Sequence, residues 1–102
     1  MTERAMLITP EAALALLEKL APTQKLNDTQ QAILRYSLQR QTYPEMAEQL
    51  GYEATHVRDL AYQLWRQLSR LLGEKVGKNN VAAVLWRYET LEKASPKPNS
   101  KE

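Results

Sequence analysis

The stretch from Thr42 to Leu72 constrains the fold more than any other part of the chain, because it holds two helix signals separated by one glycine. Thr42 and Glu45 have the spacing of a capping box, in which each side chain satisfies a backbone N–H of the other residue. Pro44 lies between them and suits the first helical turn, where its missing N–H costs little. Gly51 predicts an end after about two turns, since glycine readily takes the left-handed conformation that follows a helix.

A longer amphipathic pattern follows this turn. Its apolar residues recur at i, i+3, i+4 and i+7 steps, which predicts a helix over about 54–72 that stops before Gly73. We expect the small Ala47 where the two helices cross, and Tyr52 and Val57 in the angle between them. A short helix, a tight turn with Gly and a longer amphipathic helix are the signature of a helix-turn-helix unit. The apolar residues of the longer helix are Val57, Leu60, Ala61, Leu64, Leu68, Leu71 and Leu72.

Three further helices are predicted around this unit. Thr9 and Pro10 mark the start of the first, which ends near Ala21. The second starts at Asn27 or Asp28, each of which has a Gln three residues later for a capping box. The three predicted ranges, with either Asn79 or Asn80 as the cap of the last one, are 10–21, 28–39 and 81–93.

The composition fits one small domain. A chain of 102 residues with 43% hydrophobic and 25% charged residues is typical of a globular protein with a single core. No strand pattern is present. We predict that residues 1–93 form an all-α domain, a five-helix bundle that contains a tetrahelical helix-turn-helix. Residues 94–102 are rich in Ser, Pro and Lys, which predicts a disordered tail or linker.

Several classes of function are disfavoured by residue usage. The sequence contains no Cys, which excludes a disulfide framework, a thiolate metal site and a Cys nucleophile. His56 is the only histidine and has no second ligand or nucleophile in a recognisable motif. No apolar run approaches the ~18 residues of a membrane span, and the start lacks the pattern of a signal peptide. We expect a cytoplasmic, nucleoid-associated protein that is not an enzyme and needs no cofactor or metal.

The charge distribution favours the longer helix as the functional element. The whole chain has a net charge of +2, but residues 1–50 hold six acidic against five basic residues, while residues 51–80 hold five basic against three acidic. At 100° per residue, the direction opposite the apolar stripe of the longer helix is occupied by Thr55, Asp59, Tyr62 and Arg66. Positive charge therefore collects where a recognition helix would meet DNA.

The start of a recognition helix enters the major groove first, so its outer residues are the candidates for reading base edges. Arg58 can pair with guanine, and Asp59 can accept from cytosine N4. Asp59 also repels phosphates, which predicts weak non-specific binding. The base-edge candidates are Thr55, His56, Arg58, Asp59 and Tyr62, and the phosphate candidates are Arg66, Arg70, Lys75 and Lys78. The full predicted DNA-binding set adds Thr42, Tyr43 and Gln63 to these.

The sequence also resembles known helix-turn-helix families. The run Thr42–Gly51 followed by Thr55–Leu60 is similar to LuxR/NarL-type effectors and to sigma factor region four. Over about 10–91, the chain is more similar to the N-terminal helix-turn-helix domain of cyanobacterial vWA-MoxR-associated proteins. That family usually has Gly where Arg40 stands, and proteins of both kinds usually have Ser or Thr where Glu53 stands. The similar stretches are Leu26-Asn27-Asp28, Leu34-Arg35, Thr42-Tyr43, Ala47-Glu48, Leu64-Trp65 and Leu72-Gly73-Glu74-Lys75-Val76.

The resemblance implies a domain that stands in front of a larger signalling or effector module, so the chain is either an excised domain or a small stand-alone regulator. We predict a sequence-specific transcription regulator or DNA-targeting domain on double-stranded DNA. A homodimer is expected, because one module with about five basic side chains releases few counterions and binds weakly. The candidate dimer elements are the last helix with Trp86 and the first helix with Leu7 and Leu16.

The alternative is a protein–protein adaptor domain of a signalling or conflict system. A helical bundle with a short helix, a Gly turn and a long helix can serve either function. The outer face of the long helix separates the two. A DNA reader should keep Arg58, Arg66 and Arg70 exposed and unpaired, whereas an adaptor should show an apolar patch near Trp86 and the first helix. Trp65 is expected to pack in the core.

Overall fold

Five α-helices make up the described part of the chain, residues 8–94, with side chains described up to Leu91 in this computed structural model. No strand occurs in that range, and the predicted all-α class is confirmed. The predicted disordered tail lies outside the described residues, apart from Ala94 at the end of the last helix. The helices are α1 (Pro10–Leu20), α2 (Asp28–Leu38), α3 (Tyr43–Leu50), α4 (Ala54–Leu72) and α5 (Val81–Ala94).

Polar side chains fix the starts of α1 and α2. The Thr9 hydroxyl accepts from the Ala12 N–H at 3.1 Å. Asn27 and Gln30 form the capping box of α2, with reciprocal bonds of 2.8 and 2.9 Å, so Asn27 and not Asp28 is the cap. Each bond satisfies an amide that has no partner within its helix, which is why both helices begin where the sequence predicts.

Hydrogen bonds from side chains to the backbone stabilise the connector between α4 and α5. Asn80 accepts from the Gly77 N–H at 2.7 Å and donates to the Lys75 carbonyl at 2.9 Å. The Ser69 hydroxyl accepts from the Val76 N–H at 2.8 Å. Of the two predicted caps of α5, Asn80 stands directly before the helix, and its carbonyl accepts from the Val84 N–H at 2.9 Å. Its side chain bonds the connector that precedes the helix.

The core lies where α4 packs against α3 and α2, with α1 and α5 packed together on α2. Each of the five helices contributes at least one fully buried residue to it, and this apolar contact supplies most of the stability of such a domain. One face of α4 is thereby fixed, and the opposite face points away from the bundle. The largest fully buried side chains are Ile33, Leu34, Met46, Leu64, Leu68, Leu85, Val57 and Val81.

The turn between α2 and α3 contains a residue under strain. Arg40 has φ 66°, in the left-handed region, and is the non-glycine residue with positive φ in the described part of the chain. A side chain in this conformation costs about 1–2 kcal/mol, because Cβ approaches the following carbonyl. The turn that precedes Thr42 thus has a conformation that glycine would adopt more easily.

Candidate nucleic-acid interface

The start of α3 and the turn after it have the predicted geometry. The Thr42 hydroxyl accepts from the Glu45 N–H at 3.2 Å, and the Glu45 carboxylate accepts from the Thr42 N–H at 2.8 Å. Gly51 has φ 74°, and its N–H donates to the Ala47 carbonyl at 2.8 Å. Ala47 itself is buried against α4. The capping box and the Gly turn are therefore confirmed, and α3 packs against α4.

The two residues predicted to fill the interhelical angle behave differently. Val57 is fully buried, as expected. Tyr52 is 40% exposed, and its ring meets the His56 ring edge-on with centroids 5.0 Å apart. The prediction for Tyr52 is wrong, because Val57 and Met46 occupy the interior and the tyrosine packs on the solvent side of α4 instead. This contact places the His56 ring against Tyr52, and the described residues contain no group of three or more His, Cys, Asp or Glu that could hold a metal ion.

The outward side of α4, here called the recognition face, is open to solvent along its length. Tyr62 at its middle is 53% exposed, while Leu64 on the opposite side is fully buried. Each residue of α4 that was predicted to contact DNA lies on this face or at its edge. The exposed residues of the recognition face are Thr55, His56, Arg58, Asp59, Tyr62, Gln63, Arg66 and Arg70.

The three arginines of the recognition face have no acidic partner in the described range. The two ion pairs seen there lie elsewhere, between Lys25 and Glu18 at 3.8 Å and between Arg87 and Glu74. Arg58, Arg66 and Arg70 thus satisfy the condition set for a DNA reader, exposed and unpaired side chains. An arginine already bound to a carboxylate would first have to lose that partner before it could bind phosphate or guanine.

A groove that the sequence did not predict runs along one edge of the recognition face. It encloses about 420 Å³ between the start of α3, α4 and the α4–α5 connector. Lys78, which is half-buried on this connector, places its ammonium 5.8 Å from the centre of the Tyr43 ring. The residues that line the groove are Tyr43, Tyr62, Trp65, Val76, Gly77, Lys78 and Asn79.

One hydrogen bond fixes the floor of this groove. The buried Trp65 donates its indole N–H to the Tyr43 hydroxyl at 3.0 Å. Burial raises the pKa of Tyr43, and the bond from Trp65 only partly opposes that shift. The phenol is therefore neutral at physiological pH, and its own O–H remains a donor. Trp65 is confirmed as a packing residue, and it also holds Tyr43 in place.

The remaining predicted residues lie at the two ends of the site. Thr42 is exposed at the N-terminus of α3, and its hydroxyl accepts a capping bond, which leaves the O–H hydrogen to donate outward. Lys75 is exposed on the connector, whose backbone Asn80 and Ser69 hold. The role of Ser69 was missed because its partner, Val76, lies beyond the end of the helix.

The candidate dimer elements differ in what they expose. Leu16 is buried in the core, so the prediction that it contributes to a dimer surface is wrong, and Leu7 lies outside the described residues. On α5, Trp86 is half-buried and Tyr88 donates its hydroxyl to the Leu72 carbonyl at 2.8 Å. Leu91 is 59% exposed. Leu91 on α5 is thus more exposed than Leu20 on α1, which is 37% exposed.

These features define a helix-turn-helix domain, because a capped short helix and a left-handed glycine turn set a longer helix across it with one face outward. The chain belongs to the family described as vWA-MoxR associated protein N-terminal HTH, whose sequence profile matches residues 9–88. Searches of curated proteins and of solved structures gave no significant match. No helix in the described part of the chain is both long and apolar enough to cross a membrane.

Proposed function

We propose that this domain binds double-stranded DNA in a sequence-specific manner and serves as a transcription regulator or a DNA-targeting domain. The supporting observation is the row of exposed arginines Arg58, Arg66 and Arg70, which have no acidic partner among the residues that the structure describes, on a helix whose other face is buried. The major groove is about 12 Å wide and admits such a helix. The family supports nucleic-acid binding as a function of its helix-turn-helix unit.

The N-terminal half of α4 is proposed to read bases. Arg58 presents a planar pair of donors that matches guanine O6 and N7, and Asp59 can accept from cytosine N4. Glu53 has no capping bond at the N-terminus of α4 and adds a negative charge there. The carboxylates of Glu53 and Asp59, both close to the DNA major groove in this arrangement, weaken the attraction of α4 to any phosphate backbone. Binding should therefore depend on base contacts more than it does in a strongly basic protein.

The groove beside Tyr43 is proposed to seat a phosphate of one DNA strand. Tyr43 supplies a neutral O–H donor, Lys78 supplies an ammonium, and the groove opens next to the recognition face. Phosphate contacts of this kind set the register of the helix on the duplex and carry no sequence information. Lys75 and Arg70 are the further phosphate contacts that we propose.

A homodimer is proposed to supply the second half-site. One module offers few phosphate contacts, whereas two copies bind half-sites about one DNA turn apart. Leu91 on α5 is the exposed apolar residue that favours this helix as the interface. Light scattering should show a dimer that Leu91→Glu converts to a monomer. A wild-type monomer at high protein concentration would contradict the dimer.

Selection from a pool of randomised duplexes tests the proposed function. The full chain should enrich one motif, and the motif should contain a guanine whose selection disappears with Arg58→Ala. The Lys25→Ala variant is the matched control, because Lys25 lies in the α1–α2 loop and is paired with Glu18. Failure to enrich any motif at low salt would contradict sequence-specific binding.

A further inference from the structure

A second pocket lies on the side of α4 opposite the recognition face. It holds about 230 Å³ between α1, α2 and α4. Leu17 and Leu68 are buried at its base, and three half-buried leucines form its walls. At 100° per residue, Leu68 and Leu71 lie about 160° and about 140° from Arg66, whereas Gln67 lies about 100° from it, at the border of the recognition face. The leucine side of the pocket therefore faces away from Arg66. The leucines of the walls are Leu14, Leu26 and Leu71.

Three glutamines line the pocket, and the side-chain amides of Gln31 and Gln67 are only partly hydrogen-bonded within the described residues. Gln31 donates its amide to the Leu26 carbonyl at 2.9 Å, which leaves its amide oxygen without a partner among the described residues. Gln67 accepts from Gln30 at 3.3 Å, which leaves its own amide N–H groups without an acceptor in the same range. Gln31 therefore retains an acceptor and Gln67 a donor beside the apolar base, and Gln24 adds a third amide to the lining.

The charges at the rim cancel. Glu18 and Lys25 lie at the mouth of the pocket and pair at 3.8 Å, with both side chains largely in solvent. The interior offers leucine methyl groups and neutral amides, so an ion would lose hydration there without gaining a counter-charge. A neutral molecule with a donor and an acceptor side by side fits this lining better than an anion or a cation.

We infer that this pocket binds a small neutral ligand made of a carboxamide group on a short aliphatic chain. The carboxamide would donate to the Gln31 oxygen and accept from the Gln67 N–H, while the chain would lie on Leu17 and Leu68. A cavity of about 150 Å³ holds benzene, so 230 Å³ takes roughly nine non-hydrogen atoms. This inference does not depend on DNA binding.

Hexanamide, which has eight non-hydrogen atoms, is a suitable probe of the full chain. We expect a saturable titration with Kd of about 1 mM, as is usual for a ligand of this size. In ¹⁵N–¹H NMR spectra, the side-chain amide signals of Gln31 and Gln67 should shift together with backbone signals around Leu68. Hexanoate has the same chain but a charged head group that cannot donate, and it should bind at least tenfold more weakly.

Two variants on α4 distinguish binding of hexanamide in the pocket from non-specific binding to the protein surface. Gln67→Leu removes the donor in the pocket and should weaken hexanamide binding about fivefold or more, whereas Gln63→Leu, one turn earlier on the exposed side, should leave the Kd unchanged. Leu14→Phe narrows the pocket and provides a second test if Gln67→Leu does not fold. Equal Kd values in the two glutamine variants, equal affinity for hexanoate, or shifts that never saturate would overturn the inference, while DNA binding could remain intact.

Discussion

The two faces of α4 differ in what fixes them. The buried face places Val57, Leu64 and Leu68 in the core, at 0–1% exposure. The recognition face carries Arg58 and Arg66 in solvent, without an acidic partner in the described range. One helix thus separates two tasks, since its inner face determines whether the domain folds and its outer face is available for a ligand. Substitutions on the two faces should have effects of different kinds.

The largest expected effect is on the inner face. Leu64→Ala should lower the free energy of unfolding by about 3 kcal/mol, because it removes a fully buried side chain and leaves a cavity. The adjacent Gln63→Ala, on the exposed side, should change it by less than about 0.5 kcal/mol. Urea denaturation measures both. A similar loss for the two variants would show that the faces are not separated.

A substitution at the border between the two faces of α4, where Tyr43 of α3 accepts a hydrogen bond from Trp65, should have an intermediate effect on stability. Tyr43→Phe should cost about 1–2 kcal/mol, since it leaves the buried indole N–H of Trp65 without an acceptor. The exposed Tyr62→Phe is the matched control and should be near neutral. Denaturant unfolding at pH 7 makes the comparison. Equal stabilities of Tyr43→Phe and the wild type would contradict a stabilising role for this bond.

The same tyrosine predicts a pH dependence. Burial raises the pKa of Tyr43 above its usual value near 10, so the folded chain binds this proton more tightly than the unfolded chain. Its contribution to stability is complete below pH 10 and is lost as the pH rises through the folded pKa. The free energy of unfolding should fall between pH 8 and pH 10.5, and the fall should be smaller in Tyr43→Phe than in Tyr62→Phe. Identical losses would contradict the shift.

A substitution in the strained turn before α3 should change the stability of the domain without altering the recognition face. Arg40→Gly should raise the free energy of unfolding by about 0.5–1 kcal/mol, because glycine adopts a φ of 66° without a Cβ clash. Thermal unfolding measures the gain. Gly51→Ala should have the opposite effect and lower the free energy of unfolding, because an alanine is strained at a φ of 74°. A steric clash is not the cause there, since no neighbouring atom lies within 4 Å of the added Cβ. If Arg40→Gly destabilises the domain, the positive φ is not the source of strain.

The smallest expected effect is at the start of α4. Glu53→Ser should raise the free energy of unfolding by about 0.5 kcal/mol, since Ser can accept from a first-turn amide and Glu53 makes no capping bond. It also removes a negative charge next to the recognition face, so non-specific DNA binding at low salt should strengthen. Glu48→Ser, on the exposed side of α3, is the control, because it removes a negative charge at a position that does not cap a helix. An equal stability gain in both would contradict the capping explanation.

Local chemistry made the helix boundaries predictable. The capping box of Thr42, the left-handed Gly51 and the apolar period of α4 each depend on residues a few positions apart, and all three appear as expected. Contacts between distant segments were not predictable. The bond from Trp65 to Tyr43 joins residues 22 positions apart, and the outward position of Tyr52 depends on what else fills the interior.

The exposure of the recognition face was predictable, because exposure follows from the helical period, whereas its role in binding DNA stays a prediction. Leu16 shows the limit of that reasoning, since it lies on an amphipathic helix yet is buried by the helices that pack around it. Which of two neighbouring apolar residues is covered depends on tertiary packing, and a single sequence does not encode that in its local pattern. The same limit applies to Asn80, whose side chain bonds back to the connector.

The proposed role of the recognition face of α4 is to read DNA. The most direct test is fluorescence anisotropy with the duplex obtained by selection, comparing wild type, Arg58→Ala and Lys25→Ala at a fixed salt concentration. We predict that Arg58→Ala weakens binding about tenfold or more, in line with 1–3 kcal/mol for a bidentate contact to guanine, while Lys25→Ala stays close to the wild type. Equal affinities of Arg58→Ala and Lys25→Ala would contradict the claim.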